Sequence, residues 1–185
     1  METDKQSTAN IVKRYMRYLK LERNYSENTI EAYRHDLHWL LDYLAANSLT
    51  PTEVRLEDLQ HFAATIHERG MSAKTQARIL SGVRVFYKFL NVDGFMDTDP
   101  SELLESPRLP QHLPEYLTLE EVDRLEDSMD MSKAESQRNR AIIEVLFSCG
   151  LRVSELVNLK LSDIFFAEKF IRVLGKGSKE RLVPI

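Results

Sequence analysis

Arg152 stands where an arginine is hard to leave in water. A helical run closed by Gly150 precedes it, the apolar residues Val153, Leu156, Val157 and Leu159 follow, and Glu155 lies three positions on. A guanidinium that is not freely solvated needs a carboxylate partner, and the i,i+3 spacing supplies one. Held rigidly, with Glu155 orienting it, it would present a planar fork of donors to an oxyanion. The plainer alternative is a structural Arg–Glu pair. Lys176 sits in Gly175-Lys176-Gly177-Ser178-Lys179, between the extended runs Phe170–Leu174 and Arg181–Val183, which predicts a β-hairpin with a glycine-flanked lysine at its turn. GKGSK is superficially like a phosphate-binding loop. That motif requires a glycine where Phe170 stands, a Ser or Thr where Gly177 stands, and a following helix, so nucleotide binding is excluded. The alternative for Lys176 is a solvated turn lysine.

A third set of charges lies earlier. Between Met71 and Leu90 there are four basic residues and no acidic one. On a helical wheel Ile79, Val83, Phe86 and Leu90 cluster within about 60° of arc. Lys74, Arg78, Arg84 and Lys88 occupy roughly 120° on the opposite side, with Ser81 among them. A helix with one dry and one basic side is suited to lie against phosphates, and the arc is expected to stand clear of the core. An ordinary solvated face is the alternative. Arg34, His35 and His38 form a weaker case, because Glu27, Glu31 and Asp36 dilute them.

The elements that must position these residues are readable from periodicity. Ile11, Val12, Tyr15, Met16 and Leu19 predict a first helix. Ser26 caps a second, with Ile30, Tyr33, Leu37, Leu40, Leu41 and Leu44 as its stripe. Leu56, Leu59, Phe62, Ala63 and Ile66 mark a third, ended by Gly70, and a fourth begins near Ser72. Four amphipathic helices make a helical domain over residues 1–106. Pro107, Pro110 and Pro114 predict a linker over 107–117. In residues 118–185, Thr118 and Glu121 form a capping box, and Ile142, Ile143, Leu146 and Phe147 predict a largely buried helix before the Arg152 segment and the hairpin.

Composition narrows the class further. The chain has 185 residues, 43% hydrophobic and 29% charged, as in an ordinary globular protein. No run approaches the ~18 apolar residues of a membrane span. The polar, partly acidic start is unlike a secretory signal, and a lone Cys149 fits a reducing cytoplasm. One cysteine and five scattered histidines give no metal-ligand pairs. A net charge of −4 argues against coating nucleic acid by bulk charge.

Two pairs of segments resemble a known family. YSENTIEAYRHDLHWLLDYL and SAKTQARILSGVRVFYKFL resemble the helical signatures of the core-binding domain of tyrosine-type site-specific DNA recombinases, the phage integrase family, closest to its Xer branch. FSCGLRVSELVNLKLSDI resembles the box of the first catalytic arginine, and VLGKGSKERLVPI the hairpin of the catalytic lysine. The resemblance implies a mainly α fold: a four-helix SAM-like core-binding domain, then an α+β catalytic domain containing the hairpin. It implies DNA-facing residues on the second and fourth helices, Thr29, Arg34, Lys74, Arg78, Ser81, Arg84 and Lys88. It also implies phosphoryl transfer with no cofactor and no metal: a tyrosine attacks a DNA phosphodiester, forms a 3′-phosphotyrosyl link and releases a 5′-hydroxyl. Arg152 would bind non-bridging oxygens of that phosphate, and Lys176, protonated near its reference pKa of ~10.4, would protonate the leaving oxygen. Partners would be double-stranded DNA carrying a recombination site and further recombinase protomers, a tetramer on two sites in the family.

The family's H-x-x-R box and nucleophilic tyrosine follow the hairpin, whereas the last tyrosine here is Tyr116. The 185 residues therefore read as an amino-terminal portion that binds DNA but lacks the nucleophile. A naturally short, catalytically inactive relative is one alternative, and a helical protein-interaction module with no nucleic-acid role is another.

Overall fold

The computed structural model describes residues 2–110, 113–175, 177 and 179–185, with side chains from residue 8 onward. It divides into two compact units, 1–111 and 112–185, the boundary falling inside the proline-rich stretch.

The first unit holds α1 (Glu2–Leu21), α2 (Glu27–Ala46), α3 (Leu56–Glu68) and α4 (Ala73–Val92). Ser26 and Ser72 open α2 and α4 in the same way. Each is extended and its hydroxyl accepts the backbone N–H three residues on, from Thr29 and Thr75, satisfying one of the orphan donors of a helix start. Helix α4 is the axis of the unit. It buries Ile79, Leu80, Val83, Phe86, Phe89 and Leu90, each worth about 1.5–3 kcal/mol in removed apolar surface, with Tyr87 buried beside them. Tyr15 of α1 meets Phe86 edge to face at 5.1 Å between ring centres. Burial exceeds a single stripe because α1, α2 and α3 all pack onto this core, from Leu19, Leu37 and Leu40 to Phe62 and Ile66. Gly82 has a particular reason to be glycine: a β-carbon there would lie 3.2 Å from Cβ of Asp36 on α2. Its absence lets the two helices approach closely.

The second unit holds α5 (Leu119–Asp127), α6 (Ala134–Cys149), α7 (Val153–Val157), a 3₁₀ turn over Leu161–Asp163, and strands β1 (Ile164–Phe165), β2 (Phe170–Leu174) and β3 (Glu180–Pro184). The three strands form an antiparallel sheet in the order β1-β2-β3, with Ile171 opposite Val183 and Arg172 opposite Leu182. The capping box is present: Thr118 Oγ1 accepts from the Glu121 N–H, and Glu121 accepts from the Thr118 N–H. The hairpin strands fall where period-2 alternation places them, and β1 and α7 are additions too short to carry a period of their own.

One expectation is corrected. Helix α6 is not largely buried; Ile142 and Phe147 are 37% and 43% exposed. Towards the sheet it packs through Val145, Leu146 and Cys149, which meet a small cluster of Leu151, Ile171 and Val173, and towards α5 its Arg140 pairs with the buried Glu126 at 3.1 Å. The helix ends as the sequence indicates, with Gly150 left-handed at φ 58°, a conformation a β-carbon would strain. That turn delivers the chain to Arg152.

Candidate functional site

The second unit builds its polar centre around Glu155 rather than Arg152. Extended Arg152 precedes α7, and its backbone N–H donates to Glu155 Oε2 at 2.8 Å, closing the helix start. Its guanidinium Nη1 donates to Oε1 at 2.9 Å. Arg181 of β3 then adds a two-point contact, Nη1 to Oε1 at 2.7 Å and Nη2 to Oε2 at 2.9 Å. The Glu155 side chain is 4% exposed and that of Arg152 is 69% exposed. The expectation of a buried guanidinium is thus reversed: the carboxylate is buried and holds the arginine from below. The apolar residues flanking Arg152 do not cover it, since Val153 and Val157 are themselves exposed. The arginine therefore keeps most of its donors turned to solvent on a fixed base, as oxyanion binding requires.

Gly175 brings the hairpin to the same place. A β-carbon on it would lie 3.4 Å from Nη1 of Arg181 and 3.5 Å from Oε1 of Glu155. Lys176, the next residue, and Ser178 lie outside the described residues.

Arg181 was not singled out in the sequence. The signal was present in the alternation of β3, where Arg181 and Val183 share the less exposed face and Glu180, Leu182 and Pro184 the other. The Glu155 carboxyl is held down to about 2 from an ordinary 4.5, chiefly by the Arg181 hydrogen bonds, then by the Arg152 backbone N–H, against the opposing effect of burial. Because the folded value lies below the unfolded one, this contribution is complete above about pH 4.5 and is lost as pH falls towards 2. Acid titration followed by the Ile171 and Val173 methyl resonances is expected to show the sheet loosening in that window. In Glu155→Gln the sheet is already loosened at pH 7, and its pH dependence there is flattened.

In the first unit, α2 and α4 enclose a shallow cleft lined by Asn28, Thr29, Tyr33, Asp36, Arg78 and Ser81. Three residues of the proposed DNA face, Thr29, Arg78 and Ser81, therefore meet in one place. Lys74 and Lys88 are exposed on α4 and make no ion pair among the described residues, and Arg34 is exposed beside Glu31 at 2.8 Å.

The arc nevertheless does not stand clear of the fold at two positions. Arg78 binds Asp36, whose side chain is only 4% exposed. Arg84 turns away from the cleft and donates to the Leu104 carbonyl and, at 3.0 Å, to Ser106 Oγ. Both tie structure together. Wheel geometry missed this because Asp36 looks like charge dilution, although it stands three residues after Tyr33 and four before Leu40, beside the buried stripe.

The chain thus joins a four-helix unit to a helix–hairpin unit that holds an arginine over a buried carboxylate. Residues 12–94 match the phage integrase N-terminal SAM-like domain and residues 115–185 the phage integrase family. The chain belongs to the phage integrase family, and within it to the Xer-like tyrosine recombinases. It is 41% identical to tyrosine recombinase XerD of Yersinia pestis over 181 residues, covering 98% of this chain and 60% of that protein. It is also 41% identical to XerD of Proteus mirabilis, covering 95% of this chain and 56% of the other. The chain thus spans about 60% of the length of such curated relatives. The same fold occurs in a lambda integrase dimer bound to a COC′ core site, with TM-score 0.76, 17% identity, and 95% of this chain and 61% of that one covered. It occurs again in XerH recombinase bound to a palindromic difH substrate, with TM-score 0.67, 19% identity, and 100% and 58% covered. Among the described residues no helix is long and apolar enough to cross a membrane, and no cluster of His, Cys, Asp and Glu could hold a metal ion.

Proposed function

We propose that this chain binds a double-stranded recombination site and supplies part of the centre for site-specific DNA strand exchange through a phosphotyrosyl intermediate. The observation that carries this reading is the exposed Arg152 guanidinium, fixed over buried Glu155 with the lysine-bearing hairpin beside it. Arg152 binds the scissile phosphate, Lys176 protonates the leaving 5′-oxygen, and the α2–α4 cleft with Lys74 and Lys88 meets the flanking duplex. Partners are further recombinase protomers, and the setting is the cytoplasm. The 185 residues by themselves bind DNA without cutting it, because no tyrosine follows Tyr116.

The test is a salt titration of duplex binding together with a search for a denaturant-stable protein–DNA species on a nicked substrate. Binding should weaken linearly in log–log form as salt rises, and no covalent species should accumulate. Lys74→Ala with Lys88→Ala should flatten the slope by about two units, one for each phosphate no longer neutralised. Both side chains are exposed, so Tm should move by no more than about 4 °C. Salt-independent or absent binding would overturn the reading in favour of a protein-interaction module.

A further inference from the structure

We infer that Arg181 is a positioning residue for the phosphate site: through Glu155 it sets the direction in which Arg152 presents its donors, and it locks the hairpin to the same carboxylate. The inference rests on the phosphate-binding role proposed for Arg152.

The geometry is specific. Glu155 receives four hydrogen bonds, two from the guanidinium of Arg181, one from the Arg152 backbone and one from the Arg152 side chain. Arg152 by itself holds the two oxygens only from within the start of α7, its backbone N–H on Oε2 and one guanidinium nitrogen on Oε1. The fork of Arg181 engages both oxygens at once, which fixes the plane of the carboxylate and hence the place where Arg152 attaches. Arg181 arrives from β3, 26 residues away, so the clamp also joins α7 to the sheet. The Arg181 fork lies close enough to Gly175 that a β-carbon there would be in tight contact with Nη1. The residue before Lys176 is therefore seated against the arginine that orients Arg152. Arg181 commits two nitrogens to Glu155 and is the less exposed of the two arginines, 37% against 69% for Arg152, so Arg152 presents the freer fork. The depressed Glu155 carboxyl, for which Arg181 is the first cause, agrees with this division of labour.

The test uses the 185-residue chain and binding alone. A duplex selected from a random-sequence pool is resynthesised with a single neutral methylphosphonate at each position in turn. The unmodified chain should show one position whose penalty vanishes in Arg152→Ala; that position is the phosphate Arg152 holds, and its penalty should be about tenfold, as for a charge-assisted hydrogen bond. In Arg181→Ala the penalty at that position should fall to less than half, while penalties at the other positions stay unchanged. A merely structural role would lower all positions together or none. Arg181→Lys keeps the charge without the fork and should also lose at least half of the penalty. It decides the matter if the alanine variant does not fold. A full penalty at the Arg152 position in either folded variant would overturn the inference and leave the Arg152 reading intact. A chain with no position responding to Arg152→Ala would overturn both.

Discussion

Arg152→Ala will slow DNA strand cleavage about 10²- to 10³-fold, the loss expected when one preorganised donor to a developing oxyanion is removed. The measurement needs these residues joined to the remaining length of a curated relative such as the Yersinia pestis recombinase, so that a tyrosine is present, and single-turnover adduct formation on a nicked duplex. The fold should survive, because Arg152 supplies only one side-chain hydrogen bond to Glu155 and the Arg181 fork remains. Affinity for DNA should fall by about tenfold, one charge-assisted hydrogen bond, since the α2–α4 face is untouched. The difference between these two effects identifies transition-state stabilisation: an interaction equally strong in ground and transition states would cost affinity and rate alike. Arg152→Lys should recover charge but not the fork, leaving most of the rate loss in place. Cleavage at the unmodified rate in Arg152→Ala would remove the residue from the centre.

Much of this centre was legible in the sequence, and what was not has a common cause. The helices of the first unit, their serine caps, the capping box at Thr118 and the hairpin strands are local features, set by 3.6- and 2-residue periods and by side chains reaching three residues along. The Arg152–Glu155 pair was legible for the same reason. Its burial was not, because which partner sinks depends on β3 delivering Arg181 from 26 residues away. Asp36 and Arg78, 42 residues apart, are the same problem in the first unit: each looks like a surface charge until Gly82 brings α2 and α4 together. Arg84 joined to Leu104 and Ser106 repeats it. Amphipathic wheels sort residues on one helix and say nothing of a long side chain reaching a partner on another element.

That long-range pair makes Arg78→Ala a stability experiment before it is a DNA-binding one. Asp36 is nearly inaccessible, and burial raises its carboxyl above the ordinary 3.8 while Arg78, and more weakly His35, pull it back. Removing Arg78 leaves a buried carboxylate with its main counter-charge gone. Breaking a buried pair this way costs about 3–5 kcal/mol, and the half-exposed Arg78 side, which water can reach, lowers that to about 2–3 kcal/mol. For a unit of this size the Tm should fall by roughly 8–20 °C. The acid dependence carries a sign that a lost surface charge would not. With its folded pKa above the unfolded value, Asp36 makes the native state bind more protons than the unfolded one, so its contribution worsens as pH rises. Arg78→Ala should therefore regain stability on acidification from pH 7 towards 5, where the unmodified protein changes less. Asp36→Asn in the same chain should restore much of the Tm at pH 7 and abolish that acid gain, because the neutral amide removes the buried charge. Thermal melts of the three chains at pH 7 and pH 5 check each step, and an Arg78→Ala chain melting with the unmodified protein would show the pair to be ornamental. If the pair behaves as argued, loss of DNA affinity in Arg78→Ala alone says little about phosphate contact. The contribution of Arg78 to DNA binding is then to be read against the folded Asp36→Asn, Arg78→Ala chain, whose fold no longer depends on the charge.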